Sequence, residues 1–333
     1  MLLICPGRGS YGPDQLGTLQ GPSAVVDRLD ALRAAAGHPT LRELDAATRY
    51  SAAKHLAGEH ASLLTFGGTL ADLAHLDPER AEICAVGGNS MGWYTALTAA
   101  GVLTLDQGAR LVETLAWYQH RNVLGGQVMY PVVDEQWRPD AALRAHVEAA
   151  LALPGVHLSI RLGGTAVLAA QDLAPLQALP PVTQGRTTYP RKLALHSAFH
   201  TPVMTDAAQR ASADLADLAF GAPDVPMVDG DGRVWQTWCD PAALKGWTLG
   251  PQIVDTYDFT ATIQSAMGQY APDAVLLPGP GGTLGAPIAQ ALIECGWRGL
   301  RDRQDFVDAQ TSDAPVVVSM SRPEQRALVC ASA

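Results

Sequence analysis

A serine framed by glycines, Gly88-Asn89-Ser90-Met91-Gly92, follows an apolar run at residues 83–86 and precedes a helix-like stretch at 93–100. A G-x-S-x-G pattern in a strand-turn-helix setting describes a nucleophile elbow: the glycines let the backbone turn sharply, and the serine hydroxyl stands exposed at a helix N-terminus. The same five residues can also form an ordinary glycine-rich turn with an idle serine, so the weight rests on the flanking strand and helix. Serine is a poor nucleophile at its own pKa and needs a neighbouring base, most often histidine.

Nine histidines compete for that role. His38, His55, His60, His75, His120 and His146 stand in polar or helix-surface settings, which predicts solvated side chains. His157 falls in a strand-like run, which predicts packing. His196 and His200 remain, in Leu195-His196-Ser197-Ala198-Phe199-His200-Thr201-Pro202. Their i, i+4 spacing suits two metal ligands on one helix face, but Pro202 and the missing H-E-x-x-H glutamate argue against zinc, and no metal is expected.

Residues Gly7-Arg8-Gly9-Ser10-Tyr11-Gly12 spell G-x-G-x-x-G after the apolar run Leu2–Cys5. Pro13 follows at once, and no amphipathic helix opens where a phosphate would rest, which counts against a dinucleotide site. A glycine-rich loop at the C-terminal edge of a sheet can instead turn backbone N–H groups toward an oxyanion.

These groups need elements to hold them. Val25, Leu29, Leu32 and Ala36 share one helical face, as do Leu63, Leu70, Leu73 and Leu76, then Leu111, Leu115 and Tyr118, and later Ile263, Met267 and Tyr270. Between them, short runs at Leu2–Cys5, 83–86, 274–277 and 315–319 are apolar on both faces, as buried parallel strands covered by helices are. The middle reads differently: a strand at 128–133, a helix at 139–151, strands at 156–161 and Thr165–Ala170 joined at Gly163-Gly164, a helix at 172–179, and a last strand approaching Leu195. That β-α-β-β-α-β order is ferredoxin-like. The sequence therefore predicts an α/β protein. A large α/β-hydrolase-like domain with a parallel sheet core, residues 1–125 and 196–333, carries an inserted ferredoxin-like small subdomain at 126–195. After Arg301 one further strand and a polar end are expected, with no sign of whether they pack.

Composition bounds the function. With 333 residues, 47% hydrophobic and 17% charged, and a mean hydropathy of +0.05, the chain is that of a folded globular protein. No apolar stretch approaches the roughly 20 residues of a membrane helix and no basic leader opens the chain, so no membrane partner and a cytoplasmic location are expected. Five scattered cysteines, never spaced C-x-x-C, fit the same reducing compartment. The net charge of -10, with small basic clusters at Arg191-Lys192 and among Arg298, Arg301 and Arg303, argues against nucleic acid.

Three stretches taken together resemble the malonyl-CoA:acyl-carrier-protein transacylase family and the acyltransferase domains of polyketide and fatty-acid synthases. They are Pro6-Gly7-Arg8-Gly9-Ser10; Gly88-Asn89-Ser90-Met91-Gly92, with Tyr94-Thr95-Ala96-Leu97 and Ala100-Gly101 behind it; and Ala198-Phe199-His200-Thr201-Pro202-Val203-Met204. A fourth, Leu277-Pro278-Gly279-Pro280-Gly281, is similar to that family's glycine-proline loop. The resemblance implies a two-step transfer. Ser90 attacks the thioester of acyl-CoA, and the phosphopantetheine thiol of an acyl carrier protein then takes the acyl group from the serine. It implies His200, directly before Thr-Pro-Val-Met, as base and then acid, and the backbone N–H groups of Met91 and Arg8 as the oxyanion hole. It implies no third acid, because in this family backbone carbonyls orient the histidine. It also implies no bound cofactor, with acyl-CoA and the phosphopantetheine-carrying protein as substrates.

The departures from the family carry information. Leu115 stands where malonyl-selecting members have an arginine, whose planar guanidinium binds the free carboxylate bidentately. Asn89 replaces the usual histidine before the serine, Trp93 the usual acidic residue or glutamine after the elbow, and Arg8 the loop glutamine. Asn89, Trp93, Leu115, Arg161 and Phe199 are thus the expected pocket residues. Either the arginine has moved, with Arg8 or Arg161 as candidates, or the acyl group is not malonyl, and the second reading is preferred. Two alternatives stay open: an acyl hydrolase clearing acyl groups from carrier proteins, and an α/β-hydrolase esterase with the same elbow. A third class is a partner that binds carrier proteins without catalysis.

Overall fold

The computed structural model describes residues 1–121 and 123–331, with the side chains of residues 119–121 left aside. In chain order its strands are β1 (Leu2–Cys5), β2 (Ala85–Gly88), β3 (Gly126–Pro131), β4 (Val156–Leu162), β5 (Thr165–Ala170), β6 (Val182–Gln184), β7 (Thr187–Tyr189), β8 (Arg191–Lys192), β9 (Met227–Val228), β10 (Val234–Trp235), β11 (Tyr257–Asp258), β12 (Val275–Leu277) and β13 (Val317–Ser319).

The large sheet runs β10-β9-β2-β1-β12-β13 and is parallel except for the β9–β10 pair. Its central strands are buried throughout, which is why β1 and β12 read as continuous apolar runs. Helices cover it. The helix Gly58–Leu73 is buried on nearly every side, and Gly92–Ala99 packs against β2 and β1. Because β1 lies between β2 and β12 and all three run parallel, the loops that follow them leave the sheet at one edge, where open α/β sheets place their ligands. Cys5 pairs with Gly88, so the loop carrying Arg8 and the turn carrying Ser90 start side by side.

The second sheet has the order β11-β4-β5-β3-β8. Strands β4, β5, β3 and β8 are antiparallel neighbours, with the helix Ala141–Leu151 against β3 and β4 and a separate core that includes Val128, Tyr130, Val147 and Leu168. This is the ferredoxin-like strand order. Three details differ from the sequence reading. The second helix shortens to Ala174–Gln177, and the final strand dwindles to two residues after the hairpin β6–β7. The reason is local: Pro180, Pro181 and Pro190 interrupt backbone donors along that segment. Strand β11, far outside residues 126–195, pairs parallel with β4 and ties this sheet to the rest of the chain.

The C-terminal part packs rather than dangles. The helix Arg303–Gln310, β13 and the helix Pro323–Val329 follow one another, and Val329 is fully buried. No helix among the described residues is long and apolar enough to cross a membrane.

Candidate active site

Ser90 sits at the elbow between β2 and the helix Gly92–Ala99 with φ of 55°. Two glycines make that turn possible. A Cβ on Gly92 would lie 2.2 Å from the Cys5 carbonyl oxygen, and one on Gly88 would lie 2.3 Å from the Gly92 carbonyl carbon. Strand, elbow and helix therefore pack at backbone contact, and the serine is held in left-handed backbone by its surroundings. Tyr257 reinforces the turn by donating its hydroxyl hydrogen to the Gly88 carbonyl at 2.5 Å.

His200 faces the serine. Its Nε2 lies 2.8 Å from Ser90 Oγ and its Nδ1 lies 2.7 Å from the Gln252 carbonyl oxygen. A carbonyl only accepts, so Nδ1 carries the hydrogen, and Nε2 is left with a lone pair directed at the Ser90 hydroxyl. Burial pulls the His200 imidazolium down to about 4, which keeps the ring in its basic form at neutral pH. His200 is also at φ of 56°, and its own N–H donates to the Ile253 carbonyl at 3.0 Å.

Gln252 is the part of the site that the sequence reading missed. Its carbonyl orients His200, its side-chain N–H donates to the Ser90 carbonyl at 3.2 Å, and its side-chain oxygen accepts the hydroxyl of Tyr94. One buried residue thus holds both the base and the elbow. Nothing in Pro251-Gln252-Ile253 marks such a role, because the orienting atom is a main-chain oxygen that every residue has.

A cavity of about 550 Å³ opens onto Ser90 and His200. Of the residues singled out in the sequence, Arg8, Asn89, Met91, Leu115 and Phe199 line it. Met91 occupies the position before the first helical turn, where N–H groups lack an intrahelical acceptor and can face an anion. The loop after β1 continues only into the single turn Pro13–Gln15, so the G-x-G-x-x-G residues open no phosphate-binding helix. The apolar wall includes Val112, Leu115, Met129, Met204 and Phe199.

Other expected residues lie elsewhere. Trp93 is fully buried away from the cavity, donating its indole N–H to Thr248 Oγ1 at 3.0 Å and meeting Trp247 edge-on at 5.1 Å. Immediately after the elbow a helix turns successive side chains about 100° apart, and this one points into the core. Arg161 is also outside the cavity, paired with Glu294 at 2.6 Å and Asp258 at 3.2 Å. Arg8 lines the cavity but its guanidinium spans two backbone carbonyls, Leu56 and, at 2.8 Å, Leu195. His55, expected in solvent, is fully buried and stacked on Tyr50 at 4.7 Å, because Tyr11 and Tyr50 enclose it. The side chain of His120 lies outside the described residues.

No family model matches the chain. Among curated proteins, a polyketide synthase of Streptomyces halstedii is 24% identical over 243 residues, 69% of this chain and 4% of the synthase. The malonyl CoA-acyl carrier protein transacylase of Synechocystis is 24% identical over 217 residues, 63% of this chain and 71% of that protein. The chain therefore spans only a small part of the synthase it matches. The crystal structure of the Synechocystis malonyl-CoA:ACP transacylase superposes with a TM-score of 0.74 at 17% identity, covering 97% of this chain and 98% of that one. A malonyl-transacylase solved in complex with its type II polyketide-synthase acyl-carrier protein gives a TM-score of 0.71 at 18% identity, covering 98% of each chain. The chain has the fold of these transacylases, a large α/β domain plus a small subdomain.

Proposed function

We propose that the chain is an acyltransferase that moves an acyl group between coenzyme A and the phosphopantetheine thiol of an acyl carrier protein through an acyl-Ser90 intermediate. One observation carries the reading: Ser90 Oγ at 2.8 Å from His200 Nε2, with His200 Nδ1 on a carbonyl, at a strained elbow opening into a cavity. His200 takes the serine proton as Ser90 attacks the thioester carbonyl. The Met91 and Arg8 N–H groups meet the developing oxyanion, and the thiolate leaves with the proton from His200. The second half runs in reverse with the carrier thiol as nucleophile. Both substrates bring their own thiol, so no resident cofactor is required, and the proposal places the reaction in the cytoplasm.

The acyl group in this reading is uncharged. Leu115 forms part of an apolar wall with Met204 and Phe199, and Arg161 is turned away to Glu294 and Asp258. Arg8 is engaged by the carbonyls of Leu56 and Leu195. A carboxylate entering this pocket leaves water without a dedicated guanidinium fork, and charged hydrogen bonds contribute roughly 1.5–3 kcal/mol each. Acylation rates with acetyl-, butyryl- and malonyl-CoA, for the wild type and Leu115→Arg, test this. Neutral donors are expected to win by about tenfold or more in the wild type, and malonyl to gain in the variant. A wild type that prefers malonyl overturns the choice of acyl group while leaving the acyl-serine reading in place.

A further inference from the structure

His196 takes no part in the proton transfer described above, yet it lines the same cavity. Its Nδ1 lies 2.7 Å from Gln127 Oε1. Gln127 on β3, fully buried, donates its side-chain N–H to Ser159 Oγ at 2.6 Å, and Ser159 donates its hydroxyl hydrogen to the Phe199 carbonyl at 2.7 Å. Ser159 falls where the β4–β5 register shifts, between Leu158 and Ile160, the kind of irregularity that re-aims a side chain.

The direction of this chain is fixed from its end. The Phe199 carbonyl can only accept, so the serine hydrogen is spent there and Ser159 Oγ accepts from the glutamine amide. The glutamine oxygen then faces His196, and Nδ1 must carry a hydrogen. Burial, with Arg8 and His200 nearby, holds the imidazolium of His196 down at about 3, so the ring is neutral. Nε2 is therefore a bare lone pair, with no partner among the described residues. Two buried side chains and a backbone carbonyl are spent on presenting one acceptor to a cavity whose walls are otherwise mostly apolar.

We propose that His196 is a substrate-recognising residue whose Nε2 accepts a hydrogen bond from an N–H or O–H of the acyl thioester seated beside Ser90. Two parts of such a substrate offer that donor: an amide of the pantetheine arm, or a hydroxyl on the acyl chain. The proposal rests on the acyltransferase reading and names a contact within it.

The test has two parts. ¹⁵N NMR of the histidine rings reads the tautomer directly; His196 is expected as Nδ1–H with Nε2 bare, and an Nε2–H tautomer overturns the proposal. Dissociation constants are then measured on Ser90→Ala protein, which leaves thioesters intact, for acetyl-CoA and 3-hydroxybutyryl-CoA, with and without His196→Leu. A loss of about three- to tenfold is expected. Equal losses for the two donors assign the contact to the pantetheine arm, and a loss confined to 3-hydroxybutyryl-CoA assigns it to the acyl hydroxyl. His196→Phe, which keeps the ring volume and removes both nitrogens, is expected to show the same loss and serves if the leucine variant does not fold. Affinities unchanged by either variant overturn the proposal. If Ser90→Ala with His196 intact binds neither thioester, the acyl-CoA reading itself fails, an outcome distinct from binding that ignores His196.

Discussion

Ser90 and His200 meet Oγ to Nε2 at 2.8 Å, and both stand in left-handed backbone, at φ of 55° and 56°. Left-handed backbone costs an L-residue roughly 1–2 kcal/mol, and glycine escapes that cost. Ser90→Gly is therefore expected to be more stable than Ser90→Ala by about 1 kcal/mol in urea denaturation, although neither has a nucleophile. Equal stabilities would mean that the elbow is not strained at the serine.

In the proposed transfer one imidazole serves both half-reactions, so His200→Ala is expected to slow acylation and deacylation together, by about 10²–10⁴-fold. His196→Ala, which leaves the Ser90–His200 contact in place, is expected to cost about tenfold or less. Rapid-quench measurement of acyl-enzyme formation and decay separates the two. A larger loss at His196 would reassign the base.

Burial sets the pH behaviour. His200 is held near 4 and His196 near 3, against an ordinary value of 6.5 that returns on unfolding. Over the window between, the unfolded chain binds more protons, so stability is fully present above about pH 7 and falls as the pH drops toward 4. Asp229, raised to about 6 by burial, acts in the opposite sense over part of that window. The comparison is therefore wild type against His200→Ala, whose melting temperature is expected to fall less steeply between about pH 6.5 and 4. Acylation rates, in turn, are expected to stay level down to about pH 5. A rate midpoint near 6.5 would show that His200 is not protected from solvent as the structure has it.

Arg191 and Lys192 form β8, exposed, beside β3; Arg191 pairs with Met129, one of the residues that line the cavity. If the acceptor is the proposed acidic carrier protein, its approach to a chain of net charge -10 needs such local cations near the cleft. Reversing both charges is expected to lower transfer to carrier protein about tenfold or more while changing hydrolysis of a small thioester by less than about twofold. Equal effects on the two reactions would remove β8 from the docking surface.

Much of the fold and the site is legible in the residue types and their spacing. The elbow was readable because glycine on both sides of a serine between a strand and a helix is a backbone requirement written in residue types, and the ferredoxin-like order because strand-like and helical runs succeed one another in that order between residue 128 and Leu195. What escaped was whatever main-chain atoms or side-chain direction decide. The Gln252 carbonyl leaves no mark in a sequence, Trp93 looks like a pocket residue until the helix phase turns it into the core, and Arg161 finds its partners on Glu294 and Asp258, far along the chain. His55 was misplaced because the two tyrosines that bury it are brought together by tertiary folding.

Whether Ser90 carries the acyl group is read by intact-mass spectrometry after incubation with acetyl-, butyryl- and malonyl-CoA. The wild type is expected to gain the mass of one acyl group, mapped to the peptide containing Ser90, and Ser90→Ala to gain none. An adduct that persists in Ser90→Ala, or a wild type that no donor acylates, would rule out an acyl-Ser90 intermediate.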